Sequence, residues 1–185
     1  MARTEGRNGW LRAATDPPGT RATTTTRSRY PASPEDAYEL AWALQSAGTI
    51  ARVIRGSKMT TLDGFFDEIG AALQLPAYFG ENWPALHECL TDMQWLRGPA
   101  YVLIVTDGDL LFSKDESDSL PTFLNLATAA GERWAAPTDL DKPWGHGRVP
   151  FHVVFQVRVG ARVQWSQRLA ASGHEAPSVD LKVAG

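Results

Sequence analysis

The chain contains a single cysteine, Cys89, among its 185 residues. One thiol cannot form an internal disulfide, so nothing in the sequence demands an oxidising compartment. The sequence also lacks any run of roughly 18 apolar residues, the length that a membrane-spanning helix needs. The first twenty residues carry arginines but no apolar block, so we expect no secretory signal. These absences predict a cytoplasmic protein that is not attached to a membrane.

Positive charge is scarce in the middle of the chain. Residues 60–132 contain twelve carboxylates but only two cations, Arg97 and Lys114, which gives a net charge of −10. Residues 1–30, in contrast, carry six arginines and two carboxylates, which gives a net charge of +4. An acidic middle attracts a cationic partner and repels nucleic acid, although such a surface can also serve solubility alone. We therefore expect no direct nucleic-acid binding. Weak, salt-sensitive binding through the arginines is the alternative.

The usual motifs of enzyme and metal sites are missing as well. The sequence has no Walker loop, GxGxxG or HExxH pattern, and its possible metal ligands do not cluster. His87 and Cys89 lie about 200° apart on a helix, so they cannot act together. His146 and His152 do not belong to a recognisable nucleophile motif. We therefore expect a protein that is not an enzyme and holds no cofactor or metal, with an enzyme using His and Cys as a less favoured alternative.

Composition divides the chain into four parts. Residues 1–32, with the run TRATTTTRSR, have low complexity and predict a disordered basic tail. Residues 33–48 predict an N-terminal helix, because Ser33 suits an N-cap and Pro34 the first helical position. Residues 49–160 form the main domain. Residues 161–185 form a C-terminal extension, which we expect to be a loose tail from about residue 170.

The main domain alternates between strand-like and helix-like segments. Apolar or β-branched runs predict strands, and the run from Tyr101 to Val105 is unbroken, which is typical of a strand buried on both faces. The predicted strands are 49–56, 99–109 and 150–159. Apolar residues three and four positions apart predict helices over 60–76, 82–93 and 119–134. This order predicts an α/β fold, in which helices pack on a small three-stranded parallel sheet.

Residues 75–93, LPAYFGENWPALHECLTDM, combine a turn, a helix start and two distinct helix faces. Gly80 permits a tight turn, and Asn82 can cap the helix that follows. Helical spacing then separates an apolar stripe from a second, mixed stripe. The apolar stripe is Leu86, Cys89, Leu90 and Met93; the second is Pro84, His87, Glu88 and Thr91. The first face is expected to pack in the core and the second to face solvent.

This segment resembles the signature of barstar-like ribonuclease inhibitors. The shared pattern is Leu-Pro-x-aromatic-aromatic-Gly-x-Asn-x-x-Ala-Leu, followed by an acid, Cys, Leu and Thr. It runs here through Leu75, Pro76, Tyr78, Phe79, Gly80, Asn82, Ala85, Leu86, Glu88, Cys89, Leu90 and Thr91. A weaker resemblance extends from about Thr49 to Val157 through the order of elements. The family's fold is a three-stranded parallel sheet packed by helices, in agreement with the pattern above.

The resemblance implies that the protein binds a small basic ribonuclease, of an extracellular or toxin type, and blocks its active-site cleft with an acidic helix and loop. Glu88 matches the family's central cleft-filling aspartate, and Tyr78 matches an aromatic that packs on the enzyme's catalytic histidine. Pro84 and His87 depart from the family, which has a second aspartate and a tryptophan there. The implied partner-binding residues are Tyr78, Asn82, Trp83, Pro84, His87, Glu88, Thr91, Asp92 and Glu132, the last as a substitute for an interface acid that aligns near Thr128.

These residues also have purely structural interpretations. Glu88 could be a solvated helix acid and Tyr78 a half-buried ring, while Trp83 could belong to the core or to the interface. His87 is interpreted as a surface residue, and Glu81 as favouring the helix N-terminus. The alternative function is an acidic module that binds a different basic protein. In either case we expect the protein to be a monomer until the complex forms. If the protein is an inhibitor, we expect its role to be immunity of the producing cell.

Overall fold

A three-stranded parallel sheet forms the centre of the molecule, as a computed structural model shows. Its strands are β2 (Ile50–Arg55), β3 (Tyr101–Thr106) and β4 (Phe151–Phe155), in the order β2-β3-β4. Ile50, Tyr101 and Phe151 lie side by side in the register. The predicted sheet is therefore confirmed. The structure describes residues 28–30, 33–115, 119–138, 140–141, 145–175 and 178–180.

The central strand β3 is buried on both faces, as its unbroken apolar run predicts. All six of its residues are buried. Leu103 and Val105 join the larger core cluster on one face, and Val102 and Ile104 join a smaller cluster on the other. Alternation of side chains along a strand explains this division.

One face of the sheet is covered by the N-terminal helix α1 (Pro34–Ser46). A capping box starts the helix: the Asp36 amide donates to Ser33 Oγ at 3.4 Å, and the Ser33 amide donates to Asp36 Oδ2 at 3.1 Å. The inward stripe of α1 packs on β2, β3 and β4 through Ala37, Leu40, Ala41 and Leu44. The predicted N-terminal helix is thus confirmed and forms part of the core.

The other face carries helices α2 (Leu62–Leu73), α3 (Trp83–Asp92) and α4 (Ser119–Ala135). Phe65 of α2 is buried at the centre of an aromatic cluster, with neighbouring ring centroids 4.9–5.3 Å away. The neighbouring rings are Phe66, Trp83, Phe112 and Phe123. Because these rings come from three helices and one loop, the cluster fixes the helices relative to one another.

A fifth helix, α5 (Arg162–Ala171), extends the larger core beyond β4. Trp165 is 1% exposed and Leu169 is also buried. The Arg168 guanidinium donates to the carbonyl oxygens of Asp109 and Leu111 at 3.0 and 2.8 Å. Part of the predicted C-terminal extension therefore packs on the main domain. The predicted domain boundaries themselves stay a prediction.

Two short strands, β1 (Ser28–Tyr30) and β5 (Ser178–Asp180), pair in parallel as a separate ladder. They lie in the segments that the sequence predicts to be tails. Of the remaining tail residues, 170–175 are described, whereas 1–27, 31–32, 176–177 and 181–185 lie outside the described residues. Within the described ranges, no helix has the length and apolar character needed to cross a membrane. Short 3-10 turns at Gly56–Lys58, Gly108–Leu110 and Val159–Ala161 complete the fold.

Candidate functional site

The start of α3 is fixed by Asn82. Its Oδ1 accepts a hydrogen bond from the Ala85 amide at 2.9 Å, and its Nδ2 donates to the Gly80 carbonyl at 2.8 Å. Between these partners, Glu81 takes a left-handed backbone conformation with φ of 48°. Asn82, a predicted partner-binding residue, therefore holds the loop and the helix together through both of its polar side-chain atoms.

One face of α3 is locked into the core, as the spacing predicts. Leu86, Cys89, Leu90 and Met93 are all buried. The Trp134 indole of α4 donates to the Leu90 carbonyl at 2.8 Å and thus satisfies an acceptor in the last turn of α3. The helix is therefore held at both ends and cannot rotate about its axis without breaking the core.

The opposite face of α3 is open to solvent. Pro84, His87, Glu88 and Asp92 are exposed, and Thr91 is half-buried. The Thr91 hydroxyl lies 2.8 Å from the His87 carbonyl and 3.2 Å from the Glu88 carbonyl, so its proton is donated within the helix. The structure thus brings together the α3 residues that the sequence assigns to partner binding.

Tyr78 projects from the loop before α3 with 79% of its surface exposed. Its neighbour Phe79 anchors the loop, because its amide donates to the Pro76 carbonyl at 2.8 Å and its ring lies 6.0 Å from that of Phe66. Tyr78 is therefore not the half-buried structural ring that the sequence left open. It is an exposed aromatic on a supported loop.

Trp83 belongs mainly to the packing of the core. Its ring lies 5.3 Å from Phe65, 5.2 Å from Phe66 and 6.2 Å from Phe112, and the residue is only partly exposed. The ring of Trp83 therefore belongs to the core, which the sequence alone did not decide. A direct contact between Trp83 and a partner stays a prediction.

Glu132 lies on α4, the helix that packs against α3. It precedes by two residues Trp134, whose indole is bonded to the Leu90 carbonyl of α3. Glu132 is exposed, whereas Thr128 is half-buried and its hydroxyl donates to the Leu124 carbonyl at 2.8 Å. Of these two residues, Glu132 is the one that presents an accessible side chain.

Four carboxylates of this region, those of Glu81, Glu88, Asp92 and Glu132, are exposed. Among the described residues, none of the four forms an ion pair; the salt bridges there join Arg55 to Glu68 and Arg158 to Asp109. Glu81, which the sequence assigns only to the helix N-terminus, is thus also an exposed acid, in the loop directly before α3. We refer to Tyr78 and these four acids as the acidic surface.

Among the described residues, the fold does not group side chains into a metal site, and it separates His87 from Cys89. Over the described part of the chain, no three His, Cys, Asp or Glu side chains are grouped so that they could hold a metal ion. Cys89 lies on the buried face of α3 and His87 on the exposed face, so the two side chains point apart. What the arrangement offers chemically is a set of hydrogen-bond acceptors and negative charges.

We expect the Cys89 thiol to resist alkylation in the folded protein. Burial raises its pKa, and the charges of Glu88 and Asp92 raise it further, so little thiolate forms near neutral pH. Iodoacetamide at pH 8 should react at least about tenfold more slowly with the native protein than with the urea-unfolded chain, as followed by mass spectrometry. Equal rates would contradict the buried placement.

The raised pKa of Cys89 also predicts how the free energy of unfolding changes with pH. Because the folded-state pKa of Cys89 is raised, the neutral thiol contributes stability that is fully present below about pH 8.5, the ordinary value for a thiol. This contribution is lost as pH rises through the raised pKa. Cys89→Ala should therefore show a smaller fall in unfolding free energy at alkaline pH than the wild type.

Comparison with known proteins places this geometry in a family. The family model described as Barstar (barnase inhibitor) matches residues 50–156, which is more than half of the chain. The match contains the whole sheet, helices α2, α3 and α4, and every residue of the acidic surface. Helices α1 and α5 lie outside it. No curated protein matches the chain.

Proposed function

The chain belongs to the barstar family of barnase inhibitors, and from this premise we propose that it binds a small basic ribonuclease and blocks the active-site cleft. One observation carries the proposal. Glu88 is exposed and forms no ion pair among the described residues, yet it stands on a helix whose opposite face is fixed in the core. A charge presented in this way is available to a partner and needs little ordering on binding.

The chemistry of the cleft explains why acids are suitable there. A ribonuclease holds RNA phosphates with cationic side chains, and a carboxylate can replace a phosphate oxygen as the acceptor of charge-assisted hydrogen bonds. We assign Glu88 the central position in the cleft. Asp92 and Glu132 then lie toward the rim, where their charges speed association more than they strengthen the complex.

The other residues of the site support or shape this contact. We assign Tyr78 to an aromatic contact with a cleft side chain, because its ring is exposed at the tip of an anchored loop. Asn82 bonds the preceding loop to the first turn of α3, and Thr91 bonds to carbonyls within α3, so we assign both a role in holding this surface in shape. The Trp83 ring packs on the aromatic cluster of the core and so supports α3 from its buried side.

Pro84 and His87 define what is particular to this protein. Both are exposed on the same face as Glu88, at positions where the resemblance expects an aspartate and a tryptophan. The loss of one charge and one large ring there changes what the surface complements. We therefore propose a ribonuclease partner whose cleft differs from that of the type enzyme of this family.

The proposed role is stoichiometric and non-enzymatic. The protein acts in the cytoplasm as a monomer until it meets the ribonuclease, and it protects the producing cell from that enzyme. Because the acidic surface attracts a basic partner over a distance, association should be fast at low salt and much slower at high salt.

A pull-down from extract of the producing cells tests this proposal. We expect the wild type to recover a small basic ribonuclease at 0.1 M salt and far less at 1 M, since the screening length falls from about 10 Å to about 3 Å. Glu88→Gln should recover little at either salt concentration. Glu39→Gln is the matched control, because Glu39 is an exposed acid on α1, which covers the opposite face of the sheet.

The outcomes separate the candidate functions. Recovery of a ribonuclease by the wild type and Glu39→Gln, but not by Glu88→Gln, supports the inhibitor. Recovery of a basic protein that does not cleave RNA would replace the inhibitor with the alternative acidic module. Equal recovery of a ribonuclease by all three proteins would remove Glu88 from the site.

A further inference from the structure

The N-terminal helix α1 carries two exposed aromatic side chains on its outer side. Tyr38 is 53% exposed and Trp42 is 72% exposed, and they lie one helical turn apart. Glu35 and Glu39 are exposed on the same side, at the spacing that places all four residues in one stripe. We refer to these four residues as the outer stripe of α1. The stripe lies outside residues 50–156, the part of the chain that the family model matches.

The outer stripe cannot turn inward. The inward stripe of α1 is buried against the sheet, and a capping box fixes the first turn of the helix. Near the other end, the Gln45 side-chain amide donates to the Ala51 carbonyl of β2 at 2.8 Å. These contacts fix the rotation of α1 about its axis, so the two rings of the outer stripe are held in water. Contact of another segment with these rings would therefore be favourable.

The outer stripe combines two negative charges with two aromatic faces. Among the described residues, neither Glu35 nor Glu39 forms a salt bridge. The two arginines of the neighbouring strand β2 are engaged elsewhere. Arg55 donates to both carboxylate oxygens of Glu68, at 2.7 and 2.8 Å, and Arg52 donates to a carbonyl of its own strand at 3.1 Å. A further guanidinium suits the stripe, because this group both pairs with carboxylates and stacks on aromatic rings.

The chain itself holds such guanidiniums close to this helix. Residues 1–27, which lie outside the described residues, contain five arginines and two carboxylates, a net charge of +3. They lead into β1, which lies close to β4, one of the strands on which α1 packs. Only residues 31 and 32 separate β1 from Ser33, the N-cap of α1. A segment of this length spans up to about 90 Å when extended, whereas the outer stripe is about 10 Å long.

We propose that arginines of residues 1–27 bind the outer stripe of α1. Their guanidiniums stack on Trp42 and Tyr38 and pair with the carboxylates of Glu35 and Glu39. Because the segment belongs to the same chain, its effective concentration is high and weak individual contacts suffice. A second copy of the protein is a poorer occupant. A symmetric contact between two outer stripes would bring the acids of one copy against the same acids of the other.

The proposed contact is separate from the ribonuclease site. Helices α1 and α3 cover opposite faces of the sheet, so the outer stripe and the acidic surface lie on opposite sides of it. The two surfaces also differ in chemistry, because the acidic surface has four acids but only the ring of Tyr78. Charge alone would direct the arginines to the acidic surface, whereas stacking on two rings directs them to the outer stripe.

Paramagnetic broadening in the full chain tests the proposal. A nitroxide is attached to Ala13→Cys in a Cys89→Ala background, and the indole N–H resonances are followed in proton–nitrogen correlation spectra. The Trp42 resonance is identified by its loss in Trp42→Phe. At 0.05 M salt we expect it to be broadened several-fold more than that of Trp165, which is buried on the other side of the sheet. At 1 M salt, where the screening length is about 3 Å, this difference should be largely lost.

Substitutions identify the groups that bind. Replacement of the five arginines of residues 1–27 by glutamine should abolish the selective broadening of Trp42. The double change Glu35→Gln and Glu39→Gln should reduce it several-fold, because the guanidiniums lose their carboxylate partners. Asp67→Asn is the matched control and should leave the broadening unchanged, since Asp67 is an exposed acid on α2, across the sheet from α1.

Four results would contradict the proposal. Equal broadening of Trp42 and Trp165 would show that the segment does not bind the outer stripe. Selective broadening of α3 amides would place the arginines on the acidic surface instead. Broadening of Trp42 that persists in the glutamine variant would show that the arginines are not the groups that bind. Broadening in isotope-labelled protein by spin-labelled protein mixed with it would show a contact between two copies.

Discussion

Glu88→Ala is expected to weaken binding to the ribonuclease by about 2–5 kcal/mol, or roughly 30- to several-thousand-fold in Kd. The effect is expected to be large because the substitution leaves a cation of the cleft without its partner. A cleft cation that loses its carboxylate partner remains desolvated and unpaired in the complex, and this penalty adds to the lost attraction. Titration calorimetry with the ribonuclease recovered from the producing cells measures the change directly.

Two controls make the Glu88 result interpretable. Glu39→Ala removes an exposed acid from the opposite side of the sheet and should change Kd only slightly. Glu88→Gln keeps the shape of the side chain and should lose nearly as much affinity as Glu88→Ala if charge is the cause. Since Glu88 is exposed and unpaired among the described residues, neither change should alter stability by more than about 0.5 kcal/mol. An unchanged Kd for Glu88→Ala would show that another acid occupies the cleft.

Trp165→Ala is expected to lower the free energy of unfolding by about 3–5 kcal/mol. Trp165 is 1% exposed, its ring lies 5.1 Å from that of Phe155 on β4, and the Arg168 guanidinium lies 5.4 Å from its centroid. Truncation would leave a large cavity between α5 and the sheet. Urea denaturation, with the slope m checked for two-state behaviour, gives the change.

Two further substitutions on α5 test whether lost packing explains the destabilisation by Trp165→Ala. Trp165→Phe should cost much less, because the buried indole N–H has no acceptor among the described residues and its removal relieves an unpaired donor. Val163→Ala, at a residue that is 73% exposed, should change stability by less than about 0.5 kcal/mol. If Trp165→Ala were as mild as Val163→Ala, α5 would not be part of the core.

The sequence predicted those parts of the fold in which a regular pattern coincides with burial. The unbroken run of β3 indicated a strand buried on both faces, and the spacing of Leu86, Cys89, Leu90 and Met93 indicated the inward face of α3. Ser33 and Asn82 marked the helix starts at which they act as caps. In each case a local rule and the tertiary structure favour the same conformation.

Other features could not be predicted because they depend on distant contacts. Helix α5 buries only Trp165 and Leu169 among polar neighbours, so its apolar period is too weak to identify in the sequence. The ring of Trp83 enters the core through residues of α2 and of the loop before α4, which no local spacing shows. A cavity lined by Arg97 and Arg133 likewise forms only where segments far apart in sequence meet. That Tyr78 is exposed depends on Phe79 being the residue that packs against Phe66.

The most direct test of the proposed function is a titration of the recovered ribonuclease with this protein while RNA cleavage is followed. The proposal predicts that cleavage falls linearly and nearly vanishes at one equivalent of wild type, whereas Glu88→Gln requires a large excess. A one-to-one complex that still cleaves RNA at the rate of the free enzyme would contradict it, because the acidic surface would then bind outside the active-site cleft.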